Sequence, residues 1–249
     1  MKLFERNQVT FAIVLIVVYV VGVSAMQRIS ANIGIEYLAE MVFCLALSGL
    51  VLFFIRRNSL ANYLGLRKSE VPAGKMLLYI PLLIIGCISL IFGVSTGTSL
   101  TSAIIHSVEM ICVGFLEEII FRGFLLRGIA LQNLKRGAII ASITFGIGHI
   151  VNLLNGQNVF DTVCQIIYAV VVGFLLTFIF LRTSSIIMCV IFHILNNCVT
   201  YFSTGEVLIS KLGESTAELV MLGLRLCIAA AYLFYVSRLP SRELPARNY

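Results

Sequence analysis

Stretches of about 20 apolar residues recur from one end of this chain to the other, and a helix needs a run of that length to cross roughly 30 Å of hydrocarbon. We read such spans at 9–26, 38–55, 76–94, 101–126, 137–152, 162–181, 185–203 and 217–236. Loops cannot cross lipid with unsatisfied backbone groups, and these runs are too long for outer-membrane strands. The sequence therefore predicts an all-α fold, a polytopic membrane bundle of about eight transmembrane helices. With 59% hydrophobic and only 12% charged residues, 1–249 reads as a single membrane domain with nothing left over for a soluble one. The fifth span is the shortest and turns polar at its end, around His149 and Asn152. Val23-Ser24-Ala25 resembles a signal-peptidase site, but the apolar stretch from Val9 is longer than a usual signal core, so the first span is expected to be retained.

Basic residues in short loops prefer the cytoplasmic side, and eight spans segregate them sharply. With both termini inside, Lys2, Arg6, Arg56, Arg57, Arg67, Lys68, Lys75, Arg127, Lys135, Arg136, Arg182, Arg238, Arg242 and Arg247 are cytoplasmic, and only Arg28 and Lys211 fall outside. One span more or fewer in the middle would destroy this pattern. Topology and attraction to anionic lipid thus account for the net charge of +6, and nucleic-acid binding draws no support from it. The seven cysteines all lie within spans and include no CxxC pair, so they read as small packing residues rather than a disulfide or metal framework.

Charged and imidazole groups inside hydrocarbon cost several kcal/mol, so those within spans are functional candidates. The fourth span carries Glu117, Glu118 and Arg122; the fifth ends with His149; the seventh carries His193, Asn196 and Asn197. Glu40, Glu109 and Glu218 fall nearer the outer ends, where water or headgroups are expected to solvate them, and His106, near the outer end of the fourth span and without a second histidine beside an unpaired glutamate at its depth, is read as structural. Arg225, in the last span, is left to pair with a carboxylate such as Glu109 or to snorkel. Counting from the nearest inner basic residue puts Glu117 ~15 Å from Arg127, His149 about 20 Å from Arg136, His193 about 17 Å from Arg182 and Asn197 about 22 Å from it. Three helices thereby place polar groups in one slab, which a shared, water-accessible cavity would satisfy. Residues four apart share a helix face, so Glu118 is expected to pair with Arg122, leaving Glu117 free for chemistry, while His193 and Asn197 share a face of their own. A purely structural ion cluster is the competing reading of the same three charges.

The pattern Glu117-Glu118-x-x-x-Arg122, then Phe145-x-x-x-His149, then His193-x-x-x-Asn197 resembles the CPBP family, which embraces type II CAAX prenyl endopeptidases, bacterial abortive-infection proteins and bacteriocin-processing or self-immunity proteins. The likeness covers about residues 100–203, the expected catalytic core. It implies an eight-helix intramembrane protease in a bacterial plasma membrane, with Glu117 as base on a water, His149 helping to position that water, and His193 and Asn197 stabilising the oxyanion; Glu118 and Arg122 support. A desolvated glutamate suits that role, and preorganised donors act most strongly in a dry cavity. Whether a metal takes part is open: a zinc ion held by Glu117 and the two histidines is the alternative, although no HExxH helix is present.

Other chemistries fare worse on the residue inventory. Asp161 is the one aspartate, so a pair of membrane aspartates is excluded. Gly93-Val-Ser-Thr-Gly97 matches GxSxG in form but lacks the strand-to-helix elbow, and Cys189, in line with His193 and Asn197, reads better as packing. Three functions are therefore weighed. The first is an endopeptidase acting on a membrane-associated peptide or protein, reached laterally or from the cytoplasmic side. The second is a non-catalytic immunity or regulatory protein that binds a peptide or membrane partner. The third, a proton-coupled transporter, lacks the internal repeats and paired broken helices that the class usually shows.

Overall fold

The computed structural model describes residues 2–240 and Leu244, and every regular element in them is helical. Arg242 and Arg247, and the side chain of Lys2, lie outside the described residues. A short α1, Lys2–Arg6, leads into α2, Gln8–Ile33, whose N-cap Asn7 accepts from the Thr10 amide and whose C-cap Gly34 takes a left-handed φ of 78°. Next comes α3, Leu38–Arg57. The third span is a broken helix: a 3₁₀ turn over Ala73–Tyr79, α4 over Ile80–Cys87 and a second 3₁₀ turn over Ile88–Phe92. Leu77, Leu78 and Tyr79 all take left-handed φ between 52° and 56°, which breaks the intrahelical ladder at the start of that span. Tyrosine hydroxyls take up the freed carbonyls, with Tyr232 donating to Met76 at 2.7 Å and Tyr235 to Lys75 at 2.9 Å.

The site-bearing rod begins with α5, Leu100–Glu118, widens into a π-helix over Ile119–Leu126 and closes as α6, Arg127–Ala130. Then follow α7, Leu134–Gly148, running on as a 3₁₀ turn over His149–Leu153; α8, Val159–Thr183; α9, Ile187–Phe202; α10, Glu206–Leu212; and α11, Glu214–Arg238. Outside these helices, one antiparallel bridge joins Val94 to Ser203. The GxSxG-like segment is thus a loop, its Ser95 amide bonded to the Phe202 carbonyl at 2.8 Å.

Among the described residues, six helical segments are long and apolar enough to cross a bilayer: Gln8–Ile33, Leu38–Arg57, Ala73–Phe92, Leu134–Leu153, Val159–Thr183 and Glu214–Arg238. The other two expected spans correspond to α5 with its π continuation, which carries acidic residues, and to α9, an apolar helix of 16 residues. The protein is a helical membrane bundle; the count of eight remains an expectation from the charge pattern.

Small residues let the central helices meet at backbone distance. A Cβ on Gly114 of α5 would stand 3.1 Å from the Ile194 backbone nitrogen of α9, and one on Gly146 of α7 would stand 2.8 Å from that of Val170 in α8. Near the second approach, the hydroxyls of Ser142 and Thr177 lie 3.1 Å apart. The end of the bundle carrying α1 is sealed by Phe4, Phe11, Phe54 and Phe124, whose rings meet edge-on, stacked or tilted at centroid separations of 5.1 to 6.3 Å.

Candidate active site

The Gly114–Ile194 approach brings the last turn of α5 against the middle of α9, and this sets Glu117 and Glu118 beside His193. Immediately after them the helix widens. In a π-helix the bonds run from i to i+5, so a residue four places on still lies near the same face, and such widening is common at functional sites. Arg122 accordingly donates from Nη1 to Glu118 Oε1 at 2.8 Å and from Nη2 to the Gly173 carbonyl at 3.2 Å, with its guanidinium 4.3 Å from the Phe145 ring centroid. Both partners of this ion pair are completely buried. The expected pairing of Glu118 with Arg122 is present, though the helix under it is wider than the regular α geometry assumed from the sequence.

Glu117 has a different set of neighbours. Its Oε1 accepts a 2.6 Å hydrogen bond from the Tyr19 hydroxyl of α2, and its Oε2 lies 3.4 Å from His193 Nε2. The other ring nitrogen, Nδ1, is 2.9 Å from Glu118 Oε1. That oxygen already accepts from Arg122, and a carboxylate has no proton to give, so Nδ1 carries the hydrogen. His193 is therefore wedged between the two glutamates, with Phe145 edge-on at 5.6 Å.

A cavity of about 100 Å³, room for a few waters, opens on the other side of Glu117. Glu117, His149, Tyr19, Phe121 and Phe145 form its inner part, and it runs past Val23 to Ser24, Asn152 and Asn155. His149 belongs to the 3₁₀ turn that ends α7 and meets Phe145 edge-on at 5.7 Å. Of the four residues proposed from sequence, the structure sets Glu117 and His149 on one cavity wall and places His193 against Glu117 from behind. Asn197 is half-buried, lies off the cavity lining, and has its Oδ1 3.4 Å from the Asn196 amide nitrogen.

Two residues that carry the arrangement were missed in the sequence. Tyr19 had one signal: a tyrosine midway along an apolar span, away from the interfaces that tyrosines favour. Phe145 stood in the motif, but its contacts with Arg122, His149 and His193 follow only from the packing of α7 on the rod.

One reading needs correction. Glu40 and Glu109 are not solvated at helix ends; each is only 4% exposed, because α2, α3 and α5 close over them. Ser30 Oγ donates to Glu40, and Glu109 Oε2 lies 3.5 Å from His106 Nδ1. His106 also packs against Tyr201, stacked at 3.9 Å, and Tyr37, edge-on at 4.6 Å. Arg225 sits 5.5 Å over the ring of Tyr168, whose hydroxyl donates to Asn196.

Among the described residues no three His, Cys, Asp or Glu side chains converge as a metal site. Glu117, His149 and His193, the set a zinc ion would need, do not converge on one point in this structure, and no step below passes through a metal. The thiol alternative also finds no support: Cys189 is fully buried, and its sulfur is 3.5 Å from the Leu176 carbonyl it donates to.

Residues 108–199 match the family described as Type II CAAX prenyl endopeptidase Rce1-like, which is a protease family and the one the motif pattern resembles. The match spans Glu117, Glu118, Arg122, His149, His193 and Asn197. No curated protein and no solved structure matches the chain.

Proposed function

We propose that this protein is an intramembrane endopeptidase that hydrolyses a peptide bond in a membrane-associated peptide or protein, with Glu117 as general base. One observation carries the reading: Glu117 is free of the Arg122 ion pair and shares a water-sized cavity with His149. Glu118 absorbs the arginine. The neighbouring carboxylate is left to take a proton from water while His149, lining the same cavity, holds that water. The resulting hydroxide attacks the scissile carbonyl carbon, and the proton on Glu117 passes to the leaving amine as the C–N bond breaks.

His193 has a role in this scheme that the geometry favours over a direct contact with substrate. Glu117, Glu118 and Arg122 together carry one net negative charge, and a doubly protonated His193 brings the buried group to neutrality. Its Nε2–H then points at Glu117 Oε2. The oxyanion role that the family likeness gives His193 and Asn197 has no cavity contact behind it in this conformation; His149 and the outer-lying Asn152 and Asn155 are the polar groups on the wall. The enzyme is assigned to a bacterial plasma membrane with both termini cytoplasmic, on the family likeness and the loop charges.

Purified protein in proteoliposomes, offered a library of internally quenched peptides with and without a chelator, tests the proposal. Cleavage that survives the chelator and disappears in Glu117→Gln is the expected result. Wild-type cleavage by Glu117→Gln protein would favour a binding or immunity role instead.

A further inference from the structure

Between Thr10 and Ser24, a stretch of more than three helical turns, Tyr19 is the one side chain of α2 with a hydrogen-bonding group. Its hydroxyl is directed at Glu117 Oε1 at 2.6 Å, a distance in the range of an O–H donor on a carboxylate. The residue is 7% exposed and lies on the inner wall of the cavity that Glu117 shares with His149. The two oxygens of Glu117 are consequently inequivalent: Oε1 is held by Tyr19, while Oε2 is turned towards His193.

We propose that Tyr19 is the positioning residue for Glu117, its hydroxyl fixing one carboxylate oxygen and with it the orientation of the carboxylate between His193 and the cavity. The hydrogen bond is a property of the resting protein; its kinetic consequence rests on the endopeptidase reading above. A carboxylate on a flexible side chain would otherwise rotate between His193 and the cavity, and holding it within a few tenths of an ångström is what makes a general base effective. The tyrosine also ties α2 to the rod of α5, so the first helix becomes part of the catalytic apparatus and not merely a membrane anchor.

The test compares wild type, Tyr19→Phe, 3-fluorotyrosine at position 19, and Glu117→Gln. Phenylalanine keeps the ring and its packing and removes only the hydroxyl, while the fluorinated phenol is the stronger donor. Infrared difference spectra of the purified proteins, with the Glu117→Gln spectrum subtracted, isolate the Glu117 carboxyl band without any substrate. We expect Tyr19→Phe to shift that band and the fluorotyrosine protein to shift it the opposite way, with thermal unfolding close to wild type. In peptide hydrolysis, kcat should fall by on the order of tenfold to a hundredfold in Tyr19→Phe with KM within about twofold. An unmoved band, or unchanged kcat in Tyr19→Phe when Glu117→Gln is inactive, overturns the positioning role. A shifted band together with full hydrolysis by Glu117→Gln upholds the hydrogen bond and removes the endopeptidase reading instead.

Discussion

His193 Nδ1 lies 2.9 Å from Glu118 Oε1, the same oxygen that Arg122 Nη1 reaches at 2.8 Å. A single carboxylate oxygen therefore holds both the buried guanidinium and the imidazole that borders Glu117. The ion pair is not isolated scaffolding; it sets the position and the tilt of the ring beside the proposed base.

Replacing Glu118 by Gln tests that linkage. The amide leaves Arg122 buried without a counter-charge, a loss of about 3–5 kcal/mol for a fully desolvated pair. Glu118→Gln should lower the thermal unfolding temperature and the yield of detergent-soluble protein markedly, with hydrolysis falling as well because His193 loses its anchor. A fully stable, fully active variant would show that Arg122 is satisfied without Glu118.

The close approach of α5 and α9 gives a second expectation. A Cβ on Gly114 would stand 2.7 Å from Ile194 Cγ1 and 3.1 Å from its backbone nitrogen, so the helices must part to admit it. Gly114→Val should destabilise by about 1–3 kcal/mol, in the manner of other overpacked cores, and separate Glu117 from His193. Thermal unfolding and hydrolysis should fall together, whereas Gly223→Val, at a position whose added Cβ meets nothing within 4 Å, should leave activity unchanged.

Topology is tested separately from chemistry. The segregation of basic residues predicts cytoplasmic readings for reporter fusions after Arg57 and Arg136, and external ones near Gly97 and Gly205. An external reading for the 56–75 loop would contradict both the eight spans and the placement of the termini.

How far the sequence could be read depends on the range of the signal. Apolar runs are local, so α3, α8 and α11 fall within a few residues of the spans expected for them, while α2 starts where expected and runs on past Met26 to Ile33. Residues four apart on one helix are nearly local too, and Glu118 meets Arg122 as anticipated. Contacts between helices are different. Tyr19 and Glu117 are 98 positions apart, and nothing in either segment names the other. The burial of Glu109 beside His106 was invisible for a related reason: distance from a span's end measures depth in the bilayer, not coverage by neighbouring helices. Nor does any residue announce the π-helix over Ile119–Leu126, since its amino acids suit an ordinary α-helix equally well. His193 and Asn197 share a helix face, as their spacing requires, yet that face turns His193 to the glutamates and leaves Asn197 beside Asn196.

His149 faces the cavity without a direct hydrogen bond to the glutamates, so its removal should leave the ion-pair cluster undisturbed. His149→Ala should lower kcat by roughly 10²–10⁴, the usual worth of a positioned proton-transfer partner, with unfolding near wild type. Equal losses of stability and activity would instead make it a packing residue.

The central claim, that Glu117 is the base and Glu118 the support, is tested most directly by the hydrolysis rates and unfolding temperatures of Glu117→Gln and Glu118→Gln measured side by side in proteoliposomes. The account predicts that Glu117→Gln is inactive and unfolds close to wild type, while Glu118→Gln unfolds well below it. Full hydrolysis by Glu117→Gln, or the reverse assignment with Glu118→Gln stable and inactive and Glu117→Gln active, would contradict it.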